Sequence, residues 1–342
     1  MKNKKTPLLI SLVILFAAFL LSIIIGSVAI PFDMVFKILG AWVQQNSELL
    51  DRLQPFPAIL ILIRLPRTIL MMASGAALAG SGAAYQGLFR NPLADPYLIG
   101  VASGAGLGAV LAMMLKTYQS GTLVYFVPFS ALIFALLTVF IVYQIAHIGQ
   151  TVPTTNLILA GVAVSSLLTA LTSFFMINSS GELRQALVWL LGGASTSGWQ
   201  PVFAITPYIL AGICIMILMG HSLNVLQFGD EQAKQLGLRV NRVRKVVVVG
   251  ATLSAAAAVS FVGIIGFVGL IVPHLVRILW GNDYKRLIPL AIINGASLLI
   301  VADILARTIM APQVLPVGII TSLAGAPFFL WVLRRAKQEN YW

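Results

Sequence analysis

PLLISLVILFAAFLLSIIIGSVAI, residues 7–30, contains no charged side chain. An α-helix rises about 1.5 Å per residue, so roughly 20 apolar residues cross the hydrocarbon core of a bilayer. The run also exceeds the roughly 7–15 apolar residues of a secretory signal and lacks an A-x-A ending. Although the basic Met1–Lys5 precedes it, it reads as a retained first span, with a cleaved signal as the lesser alternative. Similar runs recur at 67–88, 96–115, 122–146, 156–178, 199–220, 245–265, 268–280, 287–306 and 316–333. The run at 268–280 is short for a crossing and reads as a half-helix. A membrane β-barrel would instead show segments of about ten residues with alternating polarity. The expected fold is all-α: one transmembrane helical bundle over residues 1–342, with about ten spans.

Composition points the same way. Of the 342 residues, 59% are hydrophobic and 9% charged, where soluble chains carry about 25% charged residues. The net charge of +12 is not gathered into a basic domain interleaved with aromatics, so nucleic acid is not an expected partner. The basic residues instead lie mostly between apolar runs, which makes membrane lipid the expected surrounding.

Those residues also orient the bundle. An even number of spans puts both termini on one side, and 15 of the 22 Lys and Arg fall there. The positive-inside rule makes that side cytoplasmic and the chain a multi-pass protein of the inner or plasma membrane. Lys37, Arg52, Arg64, Arg67, Lys116, Arg184 and Arg307 remain outside as exceptions.

Three connections exceed simple turns. Within 31–57, Phe32, Phe36, Leu39 and Val43 recur at helical spacing, which predicts an amphipathic helix on the outer surface. Residues 179–198 form a second outer segment containing Trp189, Gly192 and Gly193. Residues 221–244 are the longest and most charged inner loop. There Asp230 reads as a helix N-cap, Glu231 as a first-turn acid favoured by the helix dipole, and Gly237 as a stop. Small residues crowd 73–82 and 100–108, which suits close helix packing, a wide pathway wall, or both.

Catalytic chemistry finds no support. There is no G-x-x-x-x-G-K-[ST] phosphate loop and no G-x-S-x-G. His147, His221 and His274 lack metal-ligand spacing, and Cys214 is the single cysteine. No cofactor or metal is expected, and if ATP drives the protein a separate subunit binds it. Asp303 and Arg307, four apart, form either a self-neutralising pair or a functional intramembrane charge.

Several segments resemble one family in order along nearly the whole chain. They are RLPR (64–67), QGLFRNPLADPYLIG (86–100), GIIGFVGLIVPHLVR (263–277), ADILAR (302–307), LPVGI (315–319) and GAPFF (325–329). Together they resemble the FecCD-type permeases, membrane subunits of ABC importers for iron–siderophore, haem and vitamin B12.

The resemblance implies a ten-helix subunit paired with a second permease copy or a paralogue. It implies two cytoplasmic ATPase subunits that hydrolyse ATP, so that this chain is no enzyme, and an extracytoplasmic substrate-binding protein. Arg64, Arg67 and Arg307 match positions where acidic groups of the binding protein dock, with interfacial snorkelling as the alternative. The stretch with Asp230, Glu231, Ala233, Leu236, Gly237 and Leu238 resembles the segment coupled to the ATPase, with a solvated charged loop as the alternative. Thr154 and Thr155 match the cytoplasmic narrowing of the pathway, or else cap a helix start. The substrate expected from the broadest branch is an iron–siderophore, with cobalamin or haem as alternatives. A reading of another class is an ion-coupled secondary transporter with Asp303 as its carrier site.

Overall fold

In a computed structural model, residues 6–26, 28, 30–115, 125–149, 152–178, 183–193 and 198–338 are described. Met1–Lys5, Lys116 and parts of 179–198 lie outside the described residues. The described chain is helical and close to the expected spans. Among the described residues, seven helices are long and apolar enough to cross a membrane: α1 (Thr6–Ile24), Ala58–Phe89, α6 (Phe126–Ile145), α7 (Thr154–Ile177), α9 (Gln200–Leu226), α11 (Val240–Val262) and α13 (Tyr284–Thr308). Shorter apolar helices α5 (Val101–Met114), α12 (Val268–Trp280) and α14 (Val317–Gln338) occupy the other three expected runs. The connections carry α2 (Phe32–Val43), α3 (Ser47–Arg52), α8 (Leu183–Leu190) and α10 (Asp230–Gln235).

Most boundaries shift by a few residues from the sequence reading, and two span entries are not α-helical. The second span begins nine residues before Arg67, at Ala58, as a π-helical segment that runs into α4 (Leu65–Phe89). The third begins with a 3₁₀ turn, Pro96–Ile99, which Gly100 ends at φ 90° before α5 starts. Asp95 caps that turn by accepting the Tyr97 N–H at 2.8 Å.

Helix α4 is the centre of the bundle. From Ser74 to Phe89 every residue is buried, against α13, α11, α9 and α12. In lipid there is no hydrophobic drive between helices, so close contact and buried hydrogen bonds hold them. Gly75 and Gly295 bring α4 and α13 together so closely that a Cβ on either would overlap the other's carbonyl oxygen. Ser81 Oγ donates to Ala251 O at 2.9 Å, and the Tyr85 and Thr252 hydroxyls are 2.7 Å apart, which ties α4 to α11. The small residues of 73–82 therefore serve packing. On α5, Gly104 and Gly108 pack on α6, whereas Ser103 and Gly106 face a groove.

Helix α2 forms where the aromatic spacing predicted it, and its surface divides three ways. Val35, Ile38 and Ala41 are buried; Phe32, Phe36 and Val43 form an exposed apolar face; Asp33 pairs with Lys37 on a third. A helix at the membrane boundary meets protein, lipid and water in this way. Behind it Trp42 stacks on Trp199, whose Nε1 donates to Ile61 O at 3.0 Å.

The glycine contact predicts that Gly75→Ala costs about 1–3 kcal/mol or more, by overpacking two backbones. Gly40→Ala in α2, with nothing within 4 Å of the added carbon, should be neutral or stabilise by about 0.5–1 kcal/mol. Thermal unfolding of the two purified variants checks the contrast.

Candidate functional site

The last carbonyls of a helix have no intrahelical donor, and α1 solves this with arginines. Arg64 Nη1 donates to Ile23 O and Ile24 O, both at 2.9 Å, and Nη2 donates to Val28 O. Arg307 Nη2 donates to Ser22 Oγ at 2.8 Å. Cations at a helix C-terminus also meet the favourable end of its dipole. Asp303 is fully buried between two guanidinium groups, 2.8 Å from Arg67 Nη2 and 2.9 Å from Arg307 Nε. Within the single subunit Arg64 and Arg307 are buried, Arg64 closing the end of α1 and Arg307 bonding Ser22 and pairing with Asp303. Arg67 keeps 22% of its side chain exposed. With its oxygens facing two arginines, Asp303 is a structural pairing partner rather than an ion-carrier site.

At the inner end, α10 starts one residue earlier than a cap at Asp230 requires. Gly229, at φ 100°, holds the N-cap position, and Asp230 is the first helical residue. Its carboxylate is thereby free to pair, with Arg244 Nη2 at 2.9 Å and Arg90 Nη2 at 3.6 Å. Gly237, at φ 84°, ends the helix as expected: its N–H donates to Lys234 O and that of Leu238 to Ala233 O, both at 2.9 Å. This is a Schellman arrangement. Ala233 is buried, Leu238 half-buried, and Glu231 and Leu236 exposed. Phe228 and Leu236, which flank the two ends of α10, are both about two-thirds exposed on the inner surface.

Along α7 and the Pro96–Ile99 turn lies an open groove of about 580 Å³ in which Tyr97, Ser165, Ser166, Thr169 and Ser173 alternate with Leu98, Val162 and Ala170. It continues past Ser103 of α5 and Thr172 to Ile264, and among the described residues no charged side chain lines it. Thr155 lies on the same α7 face as Val162, Ser166, Thr169 and Ser173, at spacings of about one and two turns. Thr154 and Thr155 open α7, but the N-cap is Pro153 and no side chain caps the helix. The groove abuts a break: Gly263–Phe267 connects α11 to α12 without helix. Non-helical backbone at membrane depth needs partners from protein. Tyr97 supplies them, its hydroxyl donating to Ile265 O at 2.8 Å and accepting the Ile265 N–H at 3.3 Å.

The FecCD transport family matches residues 14–335. The chain belongs to that family. The FecCD chain is 39% identical to an ABC transporter permease protein of Bacillus subtilis, over 97% of this chain and 94% of that one. It is 46% identical to the cobalamin import system permease of Halobacterium salinarum, over 80% of this chain and 72% of that one. With the hemin transport system permease of Yersinia pestis it shares 39% identity, over 81% and 84% respectively. A solved inward-facing ABC transporter, described as of the metal-chelate type, superposes with a TM-score of 0.81 at 30% identity, covering 97% of this chain and 99% of that one.

This FecCD chain is therefore the multi-pass permease subunit of an ABC importer, a transport subunit and not itself an enzyme. ABC permeases work with ATPase and binding-protein partners. The structure gathers Arg64, Arg67 and Arg307 at one end and the 230–238 segment at the other. It also adds residues that the sequence did not single out: Arg90, Arg244, Phe228, Tyr97 and the hydroxyls of α7. Only those hydroxyls left a signal, the Ser and Thr recurring at helical spacing from 165 to 173.

Removing one partner of a buried ion pair costs about 3–5 kcal/mol. Asp303→Ala should destabilise by that order, whereas Arg67→Ala, partly exposed, should cost distinctly less. Thermal melts of the purified variants test the ranking.

Proposed function

We propose that the importer carries an iron–siderophore complex, passing along the hydroxyl-lined groove between this subunit and a second copy or paralogue. The observation that carries the reading is the uncharged lining of that groove. Hydroxyl groups offer weak, evenly spread hydrogen bonds to a large polar chelate, and they create no fixed charge that would trap it. Such a path passes substrate without selecting it, leaving selection to the binding protein. The groove is open along one side in the single subunit, which suits completion by a partner permease. Thr154 and Thr155, at the inner end of α7, would narrow the path.

At the outer end, Arg67 is the docking side chain for acidic groups of the binding protein, with Arg64 and Arg307 setting its position through α1 and Asp303. At the inner end, Leu236 and Phe228 supply the apolar contact to the ATPase, and Glu231 flanks it. The rigid cap of α10, with Gly237 and Leu238 closing its end and Ala233 seating it, suits a helix that must transmit force.

Reconstitution with ATPase subunits and binding protein should give ATP-dependent uptake of an iron–siderophore into proteoliposomes. Uptake of cobalamin or haem in place of the siderophore complex would overturn the substrate assignment. Arg67→Glu should weaken binding-protein affinity by about tenfold at low salt, with the gap narrowing as salt screens the charges. Equal affinities at low salt would remove Arg67 from the docking surface.

A further inference from the structure

We infer that Arg244 is a positioning residue that couples α10 mechanically to the gate end of α7. The inference rests on the reading of α10 as the ATPase contact. Arg244 sits on α11 with only 5% of its side chain exposed. Its two terminal nitrogens serve two different elements: Nη2 donates to Asp230 at 2.9 Å, and Nη1 donates to Val152 O at 2.8 Å. Asp230 is the first residue of α10, and its other oxygen faces Arg90 at the end of α4. Val152 immediately precedes Pro153, the N-cap of α7, so its carbonyl lies outside the helix and accepts Arg244 instead.

One planar guanidinium thus spans the first residue of α10 and the residue two before Thr154. A displacement of α10 then pulls on the start of α7 and on Thr155, which lies on the groove face. The fork is rigid and offers nitrogens to both acceptors at once, whereas lysine presents a single ammonium that reaches one or the other.

The test uses the full importer with its ATPase and binding protein in proteoliposomes. Arg244→Lys should keep the ATPase bound and hydrolysing, while substrate moved per ATP falls at least fivefold. An unchanged ratio would overturn the relay. Should that variant fail to fold, spin labels at Gln232→Cys and Leu159→Cys, in a Cys214→Ser background, carry the test. The label distance should stay constant between nucleotide-free and ATP-trapped states, and a change in it would overturn the rigid link. The docking reading fails separately: Leu236→Asp that still retains the ATPase would overturn it, whatever Arg244→Lys does.

Discussion

In a bilayer, helices gain nothing by hiding from solvent, and the contact between α4 and α13 shows what takes the place of that drive. Gly75 and Gly295 let the two backbones touch, and the hydroxyls of Ser81 and Tyr85 then reach α11. The remaining spans are arranged around this pair and its neighbours. Polar groups that lipid would leave unsatisfied are paired inside the protein instead. Arg64 and Arg307 do so for the end of α1, and Tyr97 does so for the break at Ile265.

Both ends of this central framework carry charge, and they use it differently. At the outer end one buried carboxylate, Asp303, lies between two arginines, so positive charge is in excess and Arg67 stays partly in view. At the inner end, Asp230 also meets two arginines, but it belongs to a short surface helix and not to a span. The first arrangement fixes helices to one another. The second fixes a surface element to the framework, and a partner that grips the element also grips the spans.

The spans were legible because each follows from local composition. The half-length run at 268–280 is a helix with those same bounds. The π-helical entry to α4 was not legible, since Pro57 and Pro66 bracket a segment whose continuity depends on packing against α1 and Trp199. Arg307 beside Asp303 is visible as a spacing of four, but Arg67 reaches the same carboxylate from 236 residues away. A separation of 92 residues likewise hid the contact between Arg244 and Val152. For Asp230, the preceding Gly229 takes the cap position, and the carboxylate turns to Arg244 and Arg90 instead of closing its own helix. The stripe of Phe32, Phe36 and Val43 was read correctly as apolar, yet it faces outward while Val35, Ile38 and Ala41 face the bundle.

Helix α7 has a property that the central helices lack. Of its 24 residues only Leu157, Ala160, Gly161 and Thr172 are buried, whereas α4 is buried along most of its length. Helix α4 touches neighbouring backbones along its length, at Gly75 and again at Gly82, whereas α7 meets another backbone at Gly161, against the Leu98 carbonyl, and leaves most of its surface for a neighbour outside this subunit.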